Sequence, residues 1–392
     1  MVRAFRILLI ALLAWAAVAV VAHAEPPSQV EVALPEPTGA SAIGVTDLHL
    51  IDPARRDPYV PARARELMAS VWYPAAAGAA QPMRPWFSDR IARAYAAGLA
   101  ELGPQVTGTW TVAPSHGRVD AAADRAGGRR PIVLFSPGLG MPREASTAQA
   151  EDLASHGFVV VALSHTYESM AVEFPDGRLV QNILPRAEDP DQSKTMIDLA
   201  LRTRVADTRF VLDRLADLEP AALPEHLTEI LDLSKIAMFG HSLGGATAAQ
   251  AMHDDRRIAA GVNLDGSLWG SVVTEGVDRP FVLIGGSEHG RAQDPSWQRF
   301  WSVTRGPRME FRLDGSQHHS FCDNQLIAPA LAAGGVIPAD FAATMVGTID
   351  ARNSLDLQRG YLRTFFDTTL GRFDNLPKAP ATMLHPEMVP VP

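Results

Sequence analysis

The sequence predicts a doubly wound α/β fold with a mostly parallel sheet, and three observations carry that expectation. First, short apolar runs recur along the chain, at Pro131–Phe135, Phe158–Leu163, Lys235–Phe239, Ile258–Leu264, Pro280–Ile284 and Met309–Leu313. Runs of this kind suit strands that are covered on both faces. Second, helix-forming stretches lie between them, which is the rhythm of parallel crossovers. Third, 392 residues with 47% hydrophobic content suffice for one large core, and an α/β domain with insertions reaches this length as a single unit.

In chain order, Arg3 and Arg6 precede an unbroken apolar stretch over 7–21, and Ala22-His23-Ala24 follows with a small-x-small pattern. Residues 1–24 therefore read as a cleaved signal peptide, since the apolar run falls short of the ~20 residues that cross a bilayer. Export to the outside of the cell or to the periplasm follows from that reading. Residues 25–40 are rich in Pro, Ala and Glu and read as a flexible leader to a folded domain over 41–374. Ile43–Leu48 and Leu67–Tyr73 read as two early strands, the second ended by Pro74. Residues 75–110 lack a strand pattern, and Trp86, Phe87, Ile91, Tyr95 and Leu99 fall near helical spacing, so this segment reads as an inserted helical piece.

The 131–135 strand, a helix over 144–156 and the 158–163 strand form one βαβ unit. Residues 164–192, with Pro175, Gly177, Pro185 and Pro190, read as an irregular second insertion. Residues 198–218 read as a long amphipathic helix with Leu201, Val205, Phe210, Leu212 and Leu215 near one face. A closing helix is expected over 355–370, and the proline-rich tail 375–392 reads as disordered.

A net charge of −9 gives no basic footprint for nucleic acid. The single cysteine, Cys322, excludes an intramolecular disulfide and reads as a small buried hydrophobe. Neither a metal nor an organic cofactor is expected, because the adjacent Glu288 and His289 make a poor cage.

The most informative stretch is Gly240-His241-Ser242-Leu243-Gly244-Gly245. An apolar strand runs into it and a helix-forming stretch, 246–252, runs out. This is the strand–turn–helix context of the G-x-S-x-G nucleophile elbow, the signature of the α/β-hydrolase fold. Glycines let the backbones pass closely, and the apical Ser242 projects at a helix N-terminus. A serine hydroxyl needs a base, and the base needs a carboxylate that holds its tautomer. On this scaffold the order is Ser, acid, His, so both partners lie after Ser242.

His318 and His319 both follow the last strand, and His318 is the preferred base. His289 follows the penultimate strand, His253 lies along the elbow helix pointing away, and His241 reads as a packing residue. For the acid, Asp265 and Glu288 each end a strand. Asp265 is preferred because the apolar run 261–264 fixes its position. The oxyanion needs two backbone N–H donors. Leu243 supplies one as the residue after the nucleophile, and Leu139 in Gly138-Leu139-Gly140 is the candidate for the other.

Five blocks in this order resemble a family: Leu134-Phe-Ser-Pro-Gly-Leu-Gly140, Leu153-Ala-Ser-His-Gly-Phe158, the elbow, Leu264-Asp265 and Gly315-Ser-Gln-His318. Together they are similar to the plasma-type platelet-activating-factor acetylhydrolases and related bacterial lipases, over roughly residues 43–370. Pro137 departs from the family, which usually has His there. The resemblance implies a calcium-independent serine esterase that removes short or oxidised acyl chains from phospholipids. It implies Asp265 as acid, His318 as base, and Leu139 and Leu243 as oxyanion donors. The expected partner is a small-molecule ester or lipid, with transient contact to a lipid surface. Acyl transfer, amide cleavage and ligand binding without catalysis are the alternatives.

Overall fold

The computed structural model describes residues 29–101, 103, 106–185, 188–371 and 386–391. The expected signal peptide lies outside the described residues. In chain order the strands are β1 (Gln29–Val32), β2 (Ile43–Arg56), β3 (Ala64–Pro74), β4 (Met83–Pro85), β5 (Thr109–Val112), β6 (Pro114–Val119), β7 (Arg130–Ser136), β8 (Val159–Ser164), β9 (Ala171–Glu173), β10 (Leu179–Gln181), β11 (Leu231–His241), β12 (Ile258–Leu264), β13 (Phe281–Gly285), β14 (Arg308–Leu313) and β15 (Met388–Pro390). The helices are α1 (Asp89–Glu101), α2 (Thr147–Ser155), α3 (Pro190–Ala216), α4 (Leu243–Asp254), α5 (Val272–Glu275), α6 (Pro295–Val303), α7 (Asn324–Ala333), α8 (Ala339–Val346) and α9 (Ala351–Thr369).

One 11-stranded sheet runs in the order β15-β14-β13-β12-β11-β7-β8-β3-β2-β6-β4. Its centre, from β8 through β7, β11, β12 and β13 to β14, is parallel throughout. β3 runs antiparallel to β8 and to β2, and β15 runs antiparallel to β14. Strand alternation divides the core into two layers. Ile132, Leu134, Ile236 and Met238 pack with the helices α3 and α4 on one face. Val133, Phe135, Ala237 and Phe239 pack with Leu362 and Phe366 of α9 on the other.

The mostly parallel α/β architecture agrees with the sequence reading, and the eight strands expected from apolar runs all form. Several elements differ. Residues 29–32, within the expected flexible leader, pair with β5; Val32 and Leu34 are buried at 3% and 6% exposure, which anchors the segment. The 75–110 segment contains α1 as expected, but β4 and β5 flank it. Within the 164–192 excursion, β9 and β10 form a hairpin, and α3 begins at Pro190 rather than at 198. Asp189 caps that helix by accepting from the Gln192 N–H, with Pro190 in the first turn, the arrangement a helix start favours. From the tail read as disordered, Met388–Pro390 adds a strand to the sheet edge. Cys322 is buried, and burial pushes its thiol up to about 12, as suits a packing residue.

Phe239 sits at the middle of this core. It is fully buried, with its ring centroid 4.8 Å from Phe135 and 6.2 Å from Phe366. Phe239→Ala is expected to lower stability by roughly 3–5 kcal/mol, the range for a buried phenylalanine that leaves a cavity. The measurement is a denaturant titration against the parent, and an unchanged midpoint would contradict this packing.

Candidate active site

The site is set by strand register. His241 pairs with Leu264 across the parallel β11–β12 ladder, so Ser242 and Asp265 emerge side by side at the carboxyl ends of adjacent strands. The Ser242 N–H donates to Leu264 O (2.8 Å), and the Asp265 N–H donates to Ile284 O (2.7 Å). Ser242 has φ 57° and ψ −126°, and Asp265 has φ 55°. Backbone at positive φ is costly for residues with a Cβ and collects at functional turns.

Two glycines make the turn possible. A Cβ on Gly244 would lie 1.9 Å from Ser136 O, and one on Gly240 would lie 2.1 Å from Gly244 O. The helix α4 therefore starts in backbone contact with β7, directly behind Ser242.

Three of the expected residues meet. Ser242 Oγ lies 3.0 Å from His318 Nε2, and His318 Nδ1 donates to Asp265 Oδ2 at 2.6 Å. An ionised carboxylate only accepts, so Nδ1 carries the proton and Nε2 faces the hydroxyl as an acceptor. Asp265 is 4% exposed. Burial by itself would raise its pKa, yet His289 and His318 hold it well below the usual carboxylate range. Glu288, the alternative acid, is exposed.

The other histidines fall elsewhere. His319 bonds Asn324 (3.0 Å), and burial beside His318 brings its ring down to about 4, so it is neutral. His253 bonds Gly276 O at the far end of α4. His241 does more than pack: its Nε2 donates to the His318 backbone carbonyl at 2.9 Å, tying the elbow to the loop that carries the base.

The two oxyanion candidates differ in how they are held. Leu243 begins α4, and N–H groups in a first helical turn have no intrahelical partner. Leu139 is positioned from behind by Arg204, which the sequence reading missed. This guanidinium is fully buried and donates to Pro137 O (2.5 Å) and Gly138 O (3.3 Å), while Glu168 pairs with it at 2.6 Å. Across a trans peptide the N–H points opposite to the carbonyl, so fixing Gly138 O against Arg204 turns the Leu139 N–H to the other side of the loop. Leu139, Leu243, Ser242, His318 and Trp269 all line one cleft of about 500 Å³. Leu139 also borders a second cleft of about 830 Å³, walled by Tyr95 and Gly98 of α1 and by Met170. The inserted helix α1 thus shares this second cleft with Leu139.

The signal for Arg204 is its place on α3, three residues after Leu201 and one before Val205, on the apolar face. A charge there has to be partnered. Nothing in the motif pattern marks it as part of the loop's support.

The chain is similar to known proteins along most of its length. The family model for platelet-activating factor acetylhydrolase, isoform II, matches residues 28–376. A probable 1-alkyl-2-acetylglycerophosphocholine esterase of Arthroderma benhamiae is 30% identical over 270 residues, covering 66% of this chain and 65% of that protein. A platelet-activating factor acetylhydrolase of Cavia porcellus is 27% identical over 252 residues, covering 57% and 56%. The matched stretch thus spans less than two thirds of either relative. Among solved structures, a ferulic acid esterase from Streptomyces cinnamoneus superposes with a TM-score of 0.77 at 32% identity, covering 92% of this chain and 99% of that one.

A hydroxyl backed by an oriented imidazole is a strong nucleophile toward phosphorus as well as carbon. A fluorophosphonate probe is expected to label Ser242, and Asp265→Asn to slow labelling by about 10³–10⁴-fold, because the amide can present its NH₂ to Nδ1 and so favour the wrong imidazole tautomer. Peptide mapping and labelling rates are the readouts; modification at another serine would contradict the assignment.

Proposed function

The chain belongs to the platelet-activating factor acetylhydrolase isoform II family, and from that premise we propose that it is a serine hydrolase of carboxylic esters. The observation that carries this reading is the continuous chain from Ser242 Oγ through His318 to Asp265. Ser242 attacks the ester carbonyl carbon and gives its proton to His318 Nε2. Asp265 stabilises the imidazolium through Nδ1. The N–H groups of Leu139 and Leu243 receive the negative oxygen of the tetrahedral intermediate. Its collapse expels the alcohol, which takes the proton from Nε2. Water then repeats the sequence on the acyl-enzyme and releases the acid.

The relatives' names point to two substrate types, an acetylated glycerophosphocholine and an ester of ferulic acid. Both present an uncharged ester carbonyl, which suits a cleft walled by Leu139, Leu243 and Trp269. We assign the chain to esters of this kind, the acetyl phospholipid among them, reached by transient contact with a lipid surface. The apolar N-terminal stretch behind Arg3 and Arg6 supports export.

Ser242→Ala is expected to reduce turnover of p-nitrophenyl acetate and of 1-alkyl-2-acetylglycerophosphocholine by roughly 10⁶-fold while leaving the melting temperature near that of the parent. Full activity in the folded variant on both substrates would refute the reading.

A further inference from the structure

Asp265 carries a second histidine on its other oxygen. His289 Nδ1 lies 2.9 Å from Asp265 Oδ1, and His289 Nε2 lies 3.0 Å from Asp294 Oδ2. Each ring nitrogen thus faces a carboxylate oxygen. A neutral imidazole has one donor and one lone pair, so it could satisfy only one of these contacts and would repel the other acid. The arrangement calls for an imidazolium donating from both nitrogens. Its surroundings agree. Asp294 Oδ1 is already engaged by the Ser296 N–H (2.7 Å) and Oγ (2.6 Å), and Asp265 Oδ1 by the Gly286 N–H (2.7 Å). The His289 ring lies 4.5 Å from the Trp297 ring. Burial works against the cation, but the bonds to Asp265 and Asp294 outweigh it and push the ring up to about 9.

We propose that the His289–Asp294 pair is a positioning device for the reaction: a permanent cation that holds Asp265 in register and shares its carboxylate with His318. The inference rests on the esterase reading and deepens it. Asp265 divides its charge between two imidazoles, so part of its field is already neutralised before His318 takes a proton from Ser242. Without the cation, the whole of that field would fall on His318. The other groups facing this unit are His241, 4.7 Å from the His318 ring, and His319, 5.7 Å from it. Burial holds both rings below the usual histidine range, so neither supplies a competing charge at neutral pH. Glu288 and Arg291 flank His289 in sequence, and Arg291 is paired with Glu310.

His289→Asn tests the device, because its amide nitrogen takes the place of Nδ1 against Asp265 without the charge. The acid limb of kcat/KM on p-nitrophenyl acetate is expected to move up by roughly one pH unit, the scale for removing one charge at this range in a partly buried site. Asp294→Asn, which leaves both histidines in place, is expected to move it in the same direction. Nitrogen-15 spectra of the parent protein at neutral pH should show the His289 ring, identified by resonance assignment, protonated on both nitrogens, a readout that needs no variant to fold. An unmoved acid limb in the folded variants, or a His289 ring with one bare nitrogen, would overturn the proposal. Absence of ester turnover in the parent would instead count against the esterase reading and leave the nitrogen signature standing.

Discussion

Backbone contact behind Ser242 is the constraint on which the site depends. Helix α4 can begin where it does only because Gly244 has no side chain to meet Ser136 O. That contact joins β7 and β11 to the first turn of α4 in one rigid block. Ser242 is then held at positive φ by its surroundings, and the strain is maintained by packing rather than relieved. Parallel register does the rest. Adjacent strands in step deliver Ser242 and Asp265 to the same edge, and the loop after β14 reaches back across β13 and β12 with His318. Its return is fixed at two points, the His318–Asp265 bond and the His241 tie to the His318 carbonyl.

Beneath the loop after β7 lies a buried polar layer that has no apolar equivalent. Arg65 donates to Asp57 and Asp207, His165 bridges Asp207 and Ser136, and Arg204 bonds Glu168 and the loop carbonyls. Buried ion pairs contribute little net stability, since desolvation offsets their attraction. What they provide here is direction. A fork of N–H donors fixes carbonyls whose peptide planes must face one way, which alkyl side chains cannot specify. Burial would raise the Asp207 carboxyl, but the Arg65 guanidinium and the hydrogen bond from His165 outweigh it and hold it well below the usual carboxylate range. The layer therefore stays charged and keeps its donors aligned.

The central strands and the elbow were legible because their signals are local. An apolar run between turn residues can be little else, and G-x-S-x-G between a strand and a helix needs no distant partner to be recognised. Asp265 and His318 could be picked by order along the chain, and the structure brings both to Ser242. The elements that escaped are those whose reason is distant. β1, β5 and β15 are three or four residues long and form only because neighbouring elements offer an edge or a hydrophobic seat. The start of α3 was hidden by Pro190, which marks a loop and the first turn of a helix equally well. Arg204 and Asp294 carry no local mark of their roles. One supports the loop after β7 from α3, and the other reaches across to a histidine on the β13 loop while capping α6.

Four imidazoles stand around the Asp265 carboxylate and the Ser242 hydroxyl, and their surroundings set them apart. His241 is buried with one nitrogen committed to a carbonyl, so it serves as a brace. His319 is buried beside another imidazole and kept neutral. His289 has both nitrogens committed to carboxylates and so has no free position from which to exchange a proton with a substrate. His318 alone combines one carboxylate contact, one nitrogen directed at the serine hydroxyl and a side chain that is 46% exposed. A proton shuttle needs that combination: an anchored nitrogen, a free one and room for the reacting group to approach. The sequence places His318 and His319 side by side, and nothing local separates them. Their roles diverge because the turn after β14 leaves one ring at the cleft and turns the other toward Asn324.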